Sequence, residues 1–380
     1  MSTASEKFRS SHARFFACVL LIAAASLAAC GKDSAGNAEL SSPGGTIPLT
    51  PTDLEYHSAT PAEFQVSQGR FVVPAGLNAR WPLDQDPRDI SSTFGPRLKA
   101  SEASRPDFHR GIDIPGQLGQ PVYPILPGRI YKVVAGGESS EGGNVVTIEH
   151  VLPEPIVFHG KNTTRIYSQY AHLADFGEKA NKRLLNPEME IEISPDEIVG
   201  GLGQSGTTTF NHLHFEIRLE TTCSLEYQTE NPDSLCAQNG FDPHVNPLQF
   251  LLENDGEGPR LDSVQRVGDE LKVRVSTDAL WADLDYTVLK VLDESQQTIR
   301  QFRIGFNARE GFDASSTEKL DDPQLEGVLL SPSPFLSDSA AYSMEYSFEL
   351  ASLHRAPATV HLLSEDVWGN GFSTQLQMGN

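Results

Sequence analysis

The chain has 380 residues, 38% of them hydrophobic, which is enough for two ordinary domains and a tail. Its 51 acidic and 29 basic residues give a formal net charge of −22. So large a negative excess argues against nucleic acid or an anionic membrane surface as a partner, because both repel it, and otherwise reads as solubility.

Residues 1–29 read as a leader. Lys7, Arg9 and Arg14 form a basic stretch, and an apolar run follows from Phe15 to Ala29. That run is shorter than the roughly 20 residues a spanning helix needs, but it suits the core of a secretory signal. It ends Leu27-Ala28-Ala29-Cys30, which resembles the lipobox of bacterial lipoproteins. The resemblance implies cleavage before Cys30 and lipidation of its thiol. Because Gly31 rather than Asp follows, it also implies the periplasmic face of the outer membrane of a Gram-negative bacterium. The alternative is an ordinary signal peptide cut at an A-x-A-like site.

Residues 30–63 are rich in Ser, Gly, Thr and Pro without an apolar period, the composition of a flexible tether. Residues 64–254 read as β-rich. Arg129–Val134, Asn144–Glu149, Arg165–Tyr170 and His212–Arg218 place β-branched and aromatic residues at alternating positions between Gly and Pro. Asp175 to Leu185 reads as a short helix or an insertion. The polar run Glu253–Gly258 marks a boundary, after which 259–380 returns to short strands with polar turns, expected as an immunoglobulin-like β-sandwich. Such a domain would bind protein or wall, act as a spacer, or pack against the first domain. Cys223 and Cys236 form an even pair in an exported chain, the setting of a disulfide.

The chemistry lies in the histidines. In His212-Leu213-His214, residues i and i+2 of a strand share a face about 6.5–7 Å apart. His109 and Asp113, both zinc-ligand types, would stand about 13 Å apart on a straight strand, so they share an ion only if the chain bends, most easily at Gly111. His172 ends a strand-like run. Each signal alone is weak.

Together they resemble the lysostaphin-like, LytM-type zinc metalloendopeptidases, which carry H-x-x-x-D, a lone His and H-x-H in this order. Trp81-Pro82-Leu83, Ser92-Thr93-Phe94-Gly95-Pro96-Arg97, Gly143–His150, Gly203-Gln204-Ser205-Gly206 and Asp242–Leu251 also look like the family's segments, so the resemblance covers roughly residues 80–252. It implies an all-β fold, with an open barrel or sheet as the peptidase domain. It also implies Zn²⁺ held by His109, Asp113 and His214, with His172 and His212 acting beside it, and peptidoglycan peptides as substrate. Phe210-Asn211 stands where the family often has Gly-Pro. Members that lack metal ligands activate a cell-wall amidase without catalysis, which is the alternative function.

Overall fold

In the strand His212–Arg218, the odd positions Leu213, Phe215 and Ile217 are fully buried, which leaves the histidines to share the opposite face. The computed structural model describes residues 46–380 except 62–63, 65–72, 75–76, 78, 86–88, 100–101, 159–160, 222–228, 231, 233–242, 253–255, 278–282, 308–327, 333–341, 351–352, 354–356 and 379–380. The leader, Cys30, Cys223 and Cys236 lie outside the described residues. No described helix is long and apolar enough to cross a membrane.

The first layer is a seven-stranded antiparallel sheet. Glu192–Ile193, Gly128–Val134, Val145–Phe158, Lys161–Ala171, His212–Arg218 and His244–Val245 follow one another across it, and Ile112–Pro115 pairs with the leading half of His212–Arg218. Two smaller pieces flank it. Asp175–Phe176, Gly200–Gly201 and Pro121–Val122 form a three-stranded sheet, and Gly95–Lys99 pairs with Glu102–His109 as a separate hairpin. Glu178–Leu185 is a short helix, one of the two forms expected for that stretch. The fold is all-β apart from short helices, as the alternation predicts.

Two five-stranded sheets make up the second layer system. One runs Thr46–Pro48, Arg260–Val267, Glu270–Ser276, Ser343–Glu349, Val328–Pro332. The other runs Thr298–Gly305, Leu284–Leu292, Thr359–Asp366, Gly371–Gln377, Pro51–His57. They face each other. Phe302 and Phe348, one from each sheet, meet at 5.3 Å between ring centroids. The Thr287 hydroxyl of one sheet donates to the Tyr346 phenol oxygen of the other at 3.0 Å.

Part of the stretch expected as a tether is paired, while residues 30–45 of it lie outside the described residues. Thr46–Pro48 pairs with Arg260–Val267 and Pro51–His57 pairs with Gly371–Gln377, so residues near the N-terminus complete both sheets of the sandwich. The composition concealed this because the two strands contribute backbone hydrogen bonds at sheet edges and keep most of their side chains exposed. Residues Pro43–Asn380 accordingly form one unit.

Candidate metal centre

Strand pairing builds the site. His214 sits directly opposite Asp113 on one side and Ala171 on the other, which brings His172, the next residue, to the same end of the sheet. The chain bends between His109 and Asp113 at Gly111, where a Cβ would collide with the Phe215 carbonyl at 2.3 Å. The bend carries His109, the last residue of the separate hairpin, over to Asp113.

His109 Nε2, Asp113 Oδ1 and His214 Nδ1 then form a near-equilateral triangle. His109 Nε2 to His214 Nδ1 is 3.0 Å, His214 Nδ1 to Asp113 Oδ1 is 2.9 Å, and His109 Nε2 to Asp113 Oδ1 is 3.2 Å. Tetrahedral zinc with bonds of about 2.0–2.1 Å sets two ligand atoms about 3.4 Å apart. The three edges fall about half an ångström or less short of that. These are the only three described residues that form such a cluster.

Each ring is oriented by its other nitrogen. His109 Nδ1–H donates to the Thr93 carbonyl at 2.7 Å, which leaves the Nε2 lone pair facing the cluster. His214 does the reverse: Nε2–H donates to Glu216 Oε1 at 2.9 Å, freeing Nδ1. A carboxylate behind a ligating imidazole is the usual second layer of a metal site. Glu216 is itself held by Arg218 and by Gln169 Nε2 at 2.8 Å, with His244 Nε2 at 3.3 Å. The other oxygen of Asp113 accepts from Arg97 Nη1 at 3.0 Å, and Arg97 Nε donates to Asp107 at 3.1 Å.

The electrostatics follow from burial and these partners. Burial, with Arg97 adding to it, pushes His109 down to about 4. Burial would raise Asp113, but His109 and His214 hold its carboxyl well below the usual range. Burial also works against His214, yet its hydrogen bonds to Asp113 and Glu216 and their charges raise it to about 9. Without a metal, a protonated His214 and the Arg97 guanidinium both set positive charge beside the Asp113 carboxylate.

His172 and His212 lie alongside, 4.7 Å apart between ring centroids. His172 Nδ1–H donates to the Ser205 carbonyl at 2.8 Å and His212 Nδ1–H to the Phe210 carbonyl at 3.0 Å, so each presents an unprotonated Nε2. His212 Nε2 is 3.6 Å from Asp113 Oδ1. Burial lowers both, His172 to about 4. The Phe210 ring stacks on His212 at 4.5 Å.

His172 has φ +61°, a left-handed conformation that costs a non-glycine residue on the order of 1–3 kcal/mol. Two loops hold it there. Its N–H donates to the Gly142 carbonyl at 2.9 Å, and Asn144 N–H donates to Ser205 Oγ at 2.8 Å. The loops approach so closely that a Cβ on Gly143 would lie 2.3 Å from the Ser205 carbonyl carbon. The paired glycine motifs of the sequence are therefore the clamp on His172.

Glu216 and Arg97 join the five side chains expected from the sequence. Glu216 had a signal: it lies two residues beyond His214, on the same strand face. Arg97 ends the segment Ser92–Arg97, but nothing in its spacing points to Asp113.

Residues 107–225, which contain all five of these side chains, match the sequence model of Peptidase family M23. Peptidoglycan DD-endopeptidase ShyB from Vibrio cholerae serotype O1 is 29% identical over 160 residues, 40% of this chain and 32% of that protein. A lipoprotein NlpD/LppB homolog from Pseudomonas aeruginosa is 34% identical over 116 residues, 30% of this chain and 31% of that one. The chain thus spans about a third of the length of these curated relatives. Among solved structures, a zinc-containing peptidase from Vibrio cholerae is 26% identical, with a TM-score of 0.28 over 40% of this chain and 42% of that one.

Proposed function

We propose that this chain is a zinc-dependent endopeptidase that hydrolyses peptide bonds in the cross-links or stem peptides of peptidoglycan. The observation that carries the reading is the triangle of His109 Nε2, Asp113 Oδ1 and His214 Nδ1, flanked by two neutral imidazoles, inside the segment that matches a peptidase family. His109, Asp113 and His214 would hold the ion. The chemistry zinc supplies when bound is Lewis acidity, which polarises a carbonyl and makes a water easier to deprotonate.

The remaining work falls to His172 and His212. With Nδ1–H committed to a backbone carbonyl, each ring turns a basic Nε2 to the site. Such a nitrogen takes a proton from an attacking water and returns it to the leaving amine. A ring carrying that proton can donate a hydrogen bond to the carbonyl oxygen as negative charge develops there. Burial keeps both rings neutral at physiological pH, the form in which they accept.

Peptidoglycan as substrate is supported by the DD-endopeptidase relative, and the leader directs the chain to the cell envelope. There we place it on a lipid at Cys30. The complete set of five side chains favours catalysis over the amidase-activator reading.

The test is incubation of the purified chain with isolated peptidoglycan, followed by mass analysis of the soluble fragments. New peptide ends that disappear with a chelator and return with zinc are expected. Intact cross-links and stems at full zinc loading would contradict the reading.

A further inference from the structure

The atoms of the triangle have unequal support. Asp113 and His214 face each other in the seven-stranded sheet, fixed by ladder pairing on both sides of the His214 strand. His109 and Arg97 instead sit on the hairpin Gly95–Lys99 and Glu102–His109, a two-stranded sheet of its own. A lone two-stranded ribbon is marginal in water and needs packing to hold a side chain in place.

The sandwich supplies that packing. Tyr342 is buried and its phenol donates to the Pro96 carbonyl at 2.9 Å. Its own carbonyl accepts from Thr277 N–H at 2.9 Å. Gly95, directly opposite His109 in the hairpin register, has φ +92°, and a Cβ there would come within 3.2 Å of the Phe306 ring. Phe306 is tied down by its N–H to the Asp285 carbonyl at 2.9 Å. Next to it, Asn307 Oδ1 accepts from Asn246 N–H at 2.6 Å, joining the sandwich to the segment just after His244–Val245. Pro96, which Tyr342 grips, lies between the residue opposite His109 and Arg97, whose guanidinium holds Asp113.

We propose that the sandwich is a working part of the metal site, with Tyr342 and Phe306 as positioning residues that set where the hairpin presents His109 and Arg97. This rests on the reading of His109, Asp113 and His214 as metal ligands. It gives the second domain a task inside the molecule: the hairpin takes its rigidity from the sandwich, and the triangle takes its third corner from the hairpin.

The experiment compares two full-length variants with wild type, Tyr342→Phe and Tyr346→Phe. Each loses one buried hydroxyl. That of Tyr346 accepts from Thr287 within the sandwich, and among the described residues it makes no hydrogen bond to the hairpin, although it lies near Tyr342. The readouts are the zinc dissociation constant, the ligand-field spectrum with Co²⁺ in place of zinc, and thermal unfolding of the metal-free chain. Tyr342→Phe is expected to weaken zinc binding about tenfold, the low end of what losing second-layer support costs a metal site, and to shift the Co²⁺ bands. Tyr346→Phe is expected to lower the unfolding temperature while leaving both metal readouts at wild-type values. Phe306→Leu, which keeps an apolar side chain against Gly95, should fall with Tyr342→Phe. Unchanged metal readouts in Tyr342→Phe, or equal changes in both tyrosine variants, would overturn the proposal. A wild-type chain that binds zinc but cleaves no peptide would sink the peptidase reading and leave this comparison valid. A wild-type chain that binds no metal would overturn both.

Discussion

Glu216 decides how His214 behaves. Its carboxylate accepts the Nε2 proton and so turns Nδ1 toward Asp113 and His109. Glu216→Gln keeps the size and an acceptor oxygen but removes the charge. Zinc affinity should fall about 10- to 100-fold, as for other outer-layer partners of metal-bound histidine, and competition against a chromophoric chelator measures it. The same geometry fixes a proton count. His214 is raised to about 9, whereas His109 is already neutral because burial lowers it to about 4. Zinc uptake at about pH 6, below the range where a zinc-bound water ionises, should therefore release about one proton per ion, the one on His214. Calorimetry in buffers of different ionisation enthalpy reads that number, and a value near zero would contradict a protonated His214 in the metal-free chain. The sign for stability is the reverse of the usual carboxylate case. A folded-state value above the ordinary 6.5 stabilises the metal-free chain fully below that value, and the contribution is lost as pH rises through about 9. That His109, Asp113, His172, His212 and His214 would come together was legible in the sequence only through the set of motifs that resembles a known family, since each spacing alone is weak. Their orienting partners were not, because backbone carbonyls such as those of Thr93 and Ser205 leave no mark on side-chain identity.

At the scale of elements, the site depends on two loops that touch. Gly143 and Gly206 both have positive φ, and the Gly143 loop carries the Asn144 N–H that bonds Ser205, whose carbonyl orients His172. Gly143→Ala puts a Cβ against the Ser205 backbone in a conformation that disfavours it. It should cost about 1–3 kcal/mol of stability and lower kcat more than KM, because His172 moves while the metal triangle stays. Thermal unfolding and steady-state kinetics test both halves. The inner strands of both layers were legible from their alternation. The edge strands Thr46–Pro48 and Pro51–His57 were not. Burial is what writes a period-two pattern, and these segments bury little beyond their backbone.

On the scale of the whole molecule, the N-terminal segment changes what a truncation would do. Removing residues 46–57 uncovers one edge on each sheet of the sandwich, at Arg260–Val267 and at Gly371–Gln377. Exposed edges pair with other chains. The truncated chain should therefore unfold at a lower temperature and self-associate, seen by scanning calorimetry and light scattering, where a simple tether would have been dispensable. Composition and strand alternation suggested two β-rich stretches, yet they could not show that Thr46–Pro48 and Pro51–His57 complete sheets formed by residues beyond 259.

The central claim is a division of labour: three residues hold the metal and two move protons. The most direct test is to measure zinc stoichiometry and turnover on a cross-linked muropeptide side by side for wild type, His172→Ala and His214→Ala. The account predicts about one zinc per chain and cleavage for wild type, retained zinc with turnover reduced at least about 100-fold for His172→Ala, and loss of both for His214→Ala. Full turnover in His172→Ala, or unchanged zinc in His214→Ala, would contradict it.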